Sequence, residues 1–414
     1  MSVVEIITTE TKVNKSKNEK KNERTVRVEK VIDKHIHSDP GNHPAEHFQK
    51  RMSPMRFWMR QTLTKYTDHQ SEFLSNIQSK FRHPVLDVYF KYSAFMGAHT
   101  FYIITLPIPI WFGHWELTRD LVYIFGYSIY LSGYLKDYWC LPRPKSPPVK
   151  RITLSKYTTR EYGAPSSHTA NATGVSVYFL WHIWVQHNVS IQMKALLSVA
   201  VLFYYFTLVL GRVYCGMHGV LDLVSGIGVG LVCFILKLVM DYGFPNFHSD
   251  HYKWFPAASI AFNLMLLYTH IKPVDECPCF EDSVAFVGVV SGLDISNWLI
   301  ARYNLDLTCS VVPLTVDNAI TIPGRVFFGV LCVVIWKYLL SKPVVYFFLV
   351  HVLQFKDDRK EIHAKHEKTT HEAECPLHIG VPNIEILGRF IIYAGIPSTV
   401  SLICPYVFER MNIA

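Results

Sequence analysis

The chain has 414 residues, half of them hydrophobic and only 18% charged, with a net charge of +8. Soluble domains carry about 25% charged residues, so this balance argues against an ordinary soluble globular protein. The basic residues are not organised around any recognition motif, which excludes a nucleic-acid role, and nine cysteines scattered without CxxC spacing give no standard zinc scaffold.

Residues 1–75 read as a basic, largely disordered tail. Residues 1–70 hold 14 Lys/Arg against 9 Asp/Glu, with few apolar clusters before Phe57. No signal-peptide pattern opens the chain. SPMRFWMRQTLTKY (53–66) fits a segment lying along a membrane surface and an ordinary polar lead-in equally well. His35, His37, His43 and His47 read as solvated residues.

From about residue 90 the pattern changes. Apolar spans are expected near 92–112, 119–135, 170–187, 194–210, 219–240, 254–271, 283–301, 324–340 and 386–406, with a short run at 344–355 beside its neighbour. A spanning helix needs about 20 apolar residues, and helices are the default solution in lipid. The expected fold is therefore all-α, a polytopic membrane bundle of eight to ten helices. Its core occupies 76–240, and further helices fill 241–414 around a charged loop at 356–380. In that loop His363, His366, His371, Cys375 and His378 fit no metal spacing. No metal or cofactor is expected, and the pattern does not reveal the oligomeric state.

Three polar islands interrupt the apolar chain. The first, KDYWCLPRPKSPPVKR, brings Lys136 and Arg143 into a stiff, proline-rich loop suited to an anion, although any cytoplasmic loop obeying the positive-inside rule looks similar. The second, APSSHTANATG (164–174), places Ser166, Ser167 and His168 where a helix begins. Free N–H groups and the helix dipole make such a start an anion cradle, though a plain cap is the commoner use. The third, RVYCGMHGVLD, sets Arg212, His218 and Asp222 beside a long apolar run. Ionisable groups at membrane depth each cost roughly 2.5–3.5 kcal/mol on insertion scales, so they are rarely idle.

Counting crossings joins the islands. His168 precedes the third span and Arg212 ends the fourth, so both lie on one face, and Lys136 and Arg143 reach it through an uncrossed loop. Lys136, Arg143 and Arg212 suit a phosphate dianion. His218 and Asp222, one helical turn apart, pair a nucleophilic imidazole with an orienting carboxylate. His168 supplies a general acid. Phosphoryl transfer needs little beyond positioning and charge stabilisation, and no carboxylate cluster with Mg²⁺-ligand character accompanies these residues, so a metal-independent reaction is expected.

Together KDYWCLPRP, PSSH and GRVYCGMHGVLD resemble the three-part signature of the type 2 phosphatidic acid phosphatase (PAP2) superfamily. Six residues separate Lys136 from Arg143, five separate Arg212 from His218, and three separate His218 from Asp222. Two positions depart: Ser167 stands where the family has Gly, and Gly211 where it has Ser. The wider strings RPKSPPVKR, EYGAPSSH and RVYCGMHGVLDLVSG are similar to the fungal sphingoid long-chain-base 1-phosphate phosphatases. The resemblance implies hydrolysis to free base and phosphate at an endoplasmic reticulum membrane, with His218 as nucleophile, Asp222 orienting it and His168 as acid. It implies phosphate binding by Lys136, Arg143, Ser166, Ser167 and Arg212, and membrane lipids as surroundings.

Other readings stay open at this stage. The motif grips the phosphate and not the tail, so phosphatidate, a polyprenyl diphosphate or a sugar phosphate would fit it. A transporter would also carry charges in helices, but would line several helices through the bilayer instead of clustering them at one face. The basic tail argues for a cytosolic site, whereas the resemblance implies a luminal one. Sequons at Asn14, Asn171 and Asn188 offer a probe of the difference.

Overall fold

The computed structural model describes residues 39–155, 157–244, 252–305, 307, 309–312, 320–370 and 383–413. Among these the chain is helical, with no strand. Three helices precede the apolar body: α1 (Ala45–Gln49), α2 (Pro54–Thr64) and α3 (Gln70–Phe81). They occupy part of the stretch whose composition reads as a disordered tail. The reason is burial of polar groups, which composition does not reveal. Arg56 and Arg60 of α2 are buried and donate to the backbone oxygens of Tyr138, Asp137, Cys140 and Gly41. Met55 and Trp58 lie on the exposed side. Residues 1–38 lie outside the described residues, and with them His35, His37 and Asn14.

The body begins with α4 (Pro84–Ser93), α5 (His99–Thr105) and α6 (Ile108–Trp111), which form an apolar path bent by 58°. There follow α7 (Trp115–Trp139), α8 (Ser167–Val185), α9 (Ile191–Tyr214), α10 (Val220–Gly243), α11 (Phe255–Tyr268) and α12 (Cys279–Arg302). Cys277 and Cys279 pair as a disulfide at the start of α12. The last long elements are α13 (Thr321–Val352) and α15 (Ile384–Arg410), each with π turns, separated by the polar helix α14 (Arg359–Thr370). Part of the charged loop expected at 356–380 is thus helical. His363 and His366 pair with Glu385 and Glu276, whereas His371, Cys375 and His378 lie outside the described residues.

Five helices, α9, α10, α12, α13 and α15, are long and apolar enough to cross a membrane on their own, and the bent α4–α6 path makes a sixth. The expected eight to ten are reached with α7, α8 and α11, which are more polar or shorter than these. The helices α7 and α8, 25 and 19 residues long, carry many polar residues and are lined by neighbours instead of lipid. The helix α11 has 14 residues.

Contacts at the helix ends show the path. Trp111, Arg325 and Ile413 meet at one end through the Arg325 guanidinium. At the other end Gly41 meets Asp275, and Lys136 meets Ser167. The α4–α6 path, α7, α8, α9, α10, α11, α12, α13 and α15 therefore run alternately between the two ends among the described residues. All three polar islands fall at one end, as the crossing count requires.

Small residues set the closest helix contacts, as is usual where lipid gives no hydrophobic drive between helices. A Cβ on Gly230 of α10 would lie 2.4 Å from the Ala170 carbonyl of α8, and one on Gly292 of α12 would lie 2.0 Å from the Ala394 carbonyl of α15. Between these pairs sits a core around Ile124, Phe125, Tyr178 and Phe286. Outward, Leu196, Phe203, Leu210, Ile235 and Leu236 are exposed along α9 and α10. That belt suits acyl chains, and the fold is a multi-pass helical membrane bundle.

Candidate active site

Four helix ends and one loop converge at the polar end of the bundle around a cavity of about 340 Å³. Lys136 sits in the last turn of α7, which ends at Cys140 with φ 49°. The proline-rich loop then folds Arg143 inward, buried, to donate through Nε to the Glu161 backbone oxygen (2.7 Å) and through a terminal nitrogen to Met217 (2.8 Å). The same terminal nitrogen lies 3.3 Å from Nε2 of His218.

Helix α8 starts at Ser167 with Ser166 as its cap. Ser167 contributes Oγ to the cavity, where it accepts from Lys136 Nζ at 2.8 Å. Its φ is not positive, so the residue that departs from the family pattern fits without strain. His168 lines the cavity beside Gly97, whose missing Cβ would lie 2.4 Å from the imidazole. Ser166 is not brought to the cavity. Its Oγ accepts from the Thr169 backbone (3.4 Å) and hydroxyl (3.1 Å), its N–H donates to the Asp222 carbonyl, and it is fully buried. The expected phosphate contact from this side chain therefore gives way to the commoner use, a helix cap.

The third island turns at Gly216 (φ 64°) between α9 and α10. Arg212, in the last turn of α9, lines the cavity, and its buried Nε has no hydrogen-bond partner among the described residues. Gly211, the other departure, packs against Phe90: a Cβ there would approach the ring to 3.0 Å. His218 is buried, with Nδ1 3.2 Å from Oδ2 of Asp222. Asp222 occupies the first turn of α10, and the same oxygen accepts the Gly219 N–H at 2.9 Å. Burial, with Arg143, Lys136, Arg212 and His168 nearby, pushes the His218 imidazole well below its ordinary 6.5. The ring is therefore neutral at pH 7, and the carboxylate on Nδ1 selects the tautomer that leaves the lone pair on Nε2, where Arg143 donates to it.

Other residues escape motif reading. Glu161 lines the cavity and bonds Lys136 Nζ, with Arg143 at 3.5 Å. The signal was present as the lone acid of a basic loop, six residues before Ser167. Gln78 of α3 donates to the carbonyls of Lys150 (2.8 Å) and Tyr214 (3.0 Å) and accepts from the Lys150 N–H. This amide ties the first island to the third. Nothing in the sequence marks it.

The arrangement unites a neutral histidine, an orienting carboxylate, a second histidine and three cations around one pocket, which is the equipment of phosphoryl transfer through a histidine. The PAP2 superfamily model matches residues 117–245, the stretch that carries all three islands. The dihydrosphingosine 1-phosphate phosphatase YSR3 of Saccharomyces cerevisiae is 55% identical over 92% of this chain and 93% of its own length. Dihydrosphingosine 1-phosphate phosphatase C823.11 of Schizosaccharomyces pombe is 32% identical over 87% of this chain and 92% of its own. The human sphingosine-1-phosphate phosphatase 2 is 30% identical over 51% of each. No solved structure matches the chain. Motif spacing, the pocket those motifs build and similarity along nearly the whole length agree: the chain belongs to the PAP2 superfamily.

Proposed function

We propose that this protein hydrolyses sphingoid long-chain-base 1-phosphates to the free base and inorganic phosphate, through a phosphohistidine on His218. One observation carries the reading: Asp222 holds Nδ1 of His218, and His218 lines a cavity shared with Lys136, Arg143 and Arg212.

The substrate phosphate enters among these three cations, with Ser167 Oγ and the first N–H groups of α8 completing its contacts. Arg143 turns from Nε2 to a phosphate oxygen. The Nε2 lone pair attacks phosphorus in line as the bond to the lipid C1 oxygen breaks, and His168 gives that oxygen its proton. Asp222 stabilises the charge that His218 acquires. Water then attacks the phosphohistidine, His168 takes its proton, and the P–N bond breaks to free Nε2 and phosphate. Charge stabilisation at each step comes from the guanidinium and ammonium groups that the fold gathers around the equatorial oxygens.

The sphingoid class follows from the relatives named above, and the exposed apolar belt gives the lipid tail a bilayer to rest in. An endoplasmic reticulum membrane with the site facing the lumen accords with the resemblance. Asn188 is exposed on the turn between α8 and α9, at the end away from the site. Asn171 is buried in α8 with its Oδ1 accepting from Ser128. A glycan on Asn188 would therefore place the site in the cytosol.

The test is phosphate release by purified protein in EDTA from dihydrosphingosine 1-phosphate, phosphatidate and a short water-soluble phosphomonoester, beside His218→Ala. Selective release from the sphingoid phosphate, lost in the variant, is expected. Equal rates on both lipids would remove the substrate assignment, and release undiminished in the variant would remove the chemistry.

A further inference from the structure

Glu161 is out of place in a site built only for phosphate. It is buried between the two cations that the first island contributes, taking the Lys136 ammonium on Oε2 and lying 3.5 Å from Arg143 on the same oxygen. Its own carbonyl also accepts from Arg143 Nε. A carboxylate here weakens the field of both cations and repels a phosphate dianion in a pocket poorly screened by water. Such a group is useful if the ligand brings a positive charge along with its phosphate.

The substrate class proposed above has that chemistry. A sphingoid base 1-phosphate carries an ammonium on the carbon next to the one bearing the phosphate ester, whereas a glycerolipid phosphate carries a neutral oxygen there. We propose that Glu161 is the specificity-determining residue of the site: its carboxylate receives the substrate ammonium when Lys136 and Arg143 turn to the phosphate. In the unliganded protein Glu161 keeps these cations paired. On binding, a zwitterionic headgroup satisfies all three charges, and an anion without an ammonium leaves the carboxylate facing phosphate. Asp282 of α12 lines the same cavity as a second acidic residue. This inference rests on the sphingoid-phosphatase reading.

The experiment compares kcat/KM for dihydrosphingosine 1-phosphate and for a lysophosphatidate of matched chain length, in wild type, Glu161→Gln and Glu161→Asp. Loss of a hydrogen bond to a charged group is worth about 10–100-fold. The wild-type preference for the amine lipid should fall by that factor in Glu161→Gln and be partly restored in Glu161→Asp. Inhibition by orthovanadate, an anion with no ammonium, reports whether the glutamine variant is folded with its cations in place, and it should be no weaker. An equal loss on both lipids, or an unchanged ratio, would overturn the inference, because Glu161 would then serve only to hold Lys136 and Arg143. A wild type that hydrolyses both lipids without preference for the amine overturns the ammonium contact and leaves the chemistry standing. A wild type that releases phosphate from neither overturns the functional reading itself.

Discussion

Oδ2 of Asp222 lies 3.2 Å from Nδ1 of His218 and also accepts the Gly219 N–H, so one carboxylate oxygen fixes both the ring and the turn that carries it. Replacing Asp222 by Asn keeps the shape and removes the charge. By analogy with the carboxylate of a serine-protease triad, kcat should fall by roughly 10⁴ with KM little changed. Steady-state kinetics on a variant that elutes as wild type by size exclusion checks this, and a change confined to KM would contradict the orienting role.

The two histidines separate by leaving group. Without a general acid, His168→Ala should lose about 10²–10⁴-fold on a lipid alkoxide. It should lose much less in the first step on a nitrophenyl phosphate, whose leaving group needs no proton. Phosphoenzyme should then accumulate, because His168 also activates the water. Rapid quench with labelled phosphate detects it. His218→Ala should form none with either substrate.

The low pKa of His218 gives a reactivity profile with a definite sign. Only a neutral imidazole reacts with diethyl pyrocarbonate. An ordinary histidine near 6.5 is about 90% protonated at pH 5.5 and reacts roughly tenfold more slowly there than at pH 7.5. His218, pushed well below that value by burial and by its cationic neighbours, should stay neutral across the window. Its labelling rate, followed by mass spectrometry of the peptide that contains it, should fall clearly less than that of an ordinary histidine. A tenfold fall would show an ordinary histidine.

Gln78 offers a test away from the chemistry. Its amide holds the carbonyls of Lys150 and Tyr214 and the Lys150 N–H. Gln78→Ala leaves these groups without their partner, at a cost of about 1–3 kcal/mol. A lower thermal midpoint in detergent, with loss of kcat/KM partly recovered on cooling, is the expected result. A variant equal to wild type in both would show that the tie is dispensable.

What the sequence reveals depends on whether a residue's role is encoded in spacing. Lys136, Arg143, His168, Arg212, His218 and Asp222 stand at the separations of one three-part pattern; the cavity collects the first five, and Asp222 sits behind it on Nδ1 of His218. Ser166 sits inside the same pattern, but whether a serine oxygen faces a ligand or its own helix depends on one torsion, and here it caps. Gln78 carries no signal, and Glu161 only that of a lone acid in a basic loop, since each matters through partners 18 to 136 residues away. The apolar spans were visible wherever lipid touches them. Polar α7 and α8 were visible as shorter spans, because Tyr, Ser and Thr on their buried faces break the apolar run. The burial of Arg56 and Arg60 could not be seen at all, because it depends on carbonyls of the α7 terminus and nearby loops.

The Gln78 tie also orders events during synthesis. Helix α3 leaves the ribosome long before the chain it must clasp, since Tyr214 follows 136 residues later. Until α9 and the turn after it have been inserted, the amide has no partner at the third island, and His218 does not yet exist beside Arg143. On the proposed chemistry, competence requires the turn into α10, which sets His218 beside Arg143 and Asp222. A nascent fragment holding the first two islands lacks Arg212, His218 and Asp222, so on the proposed chemistry it has no means to act on the bilayer into which it is being threaded.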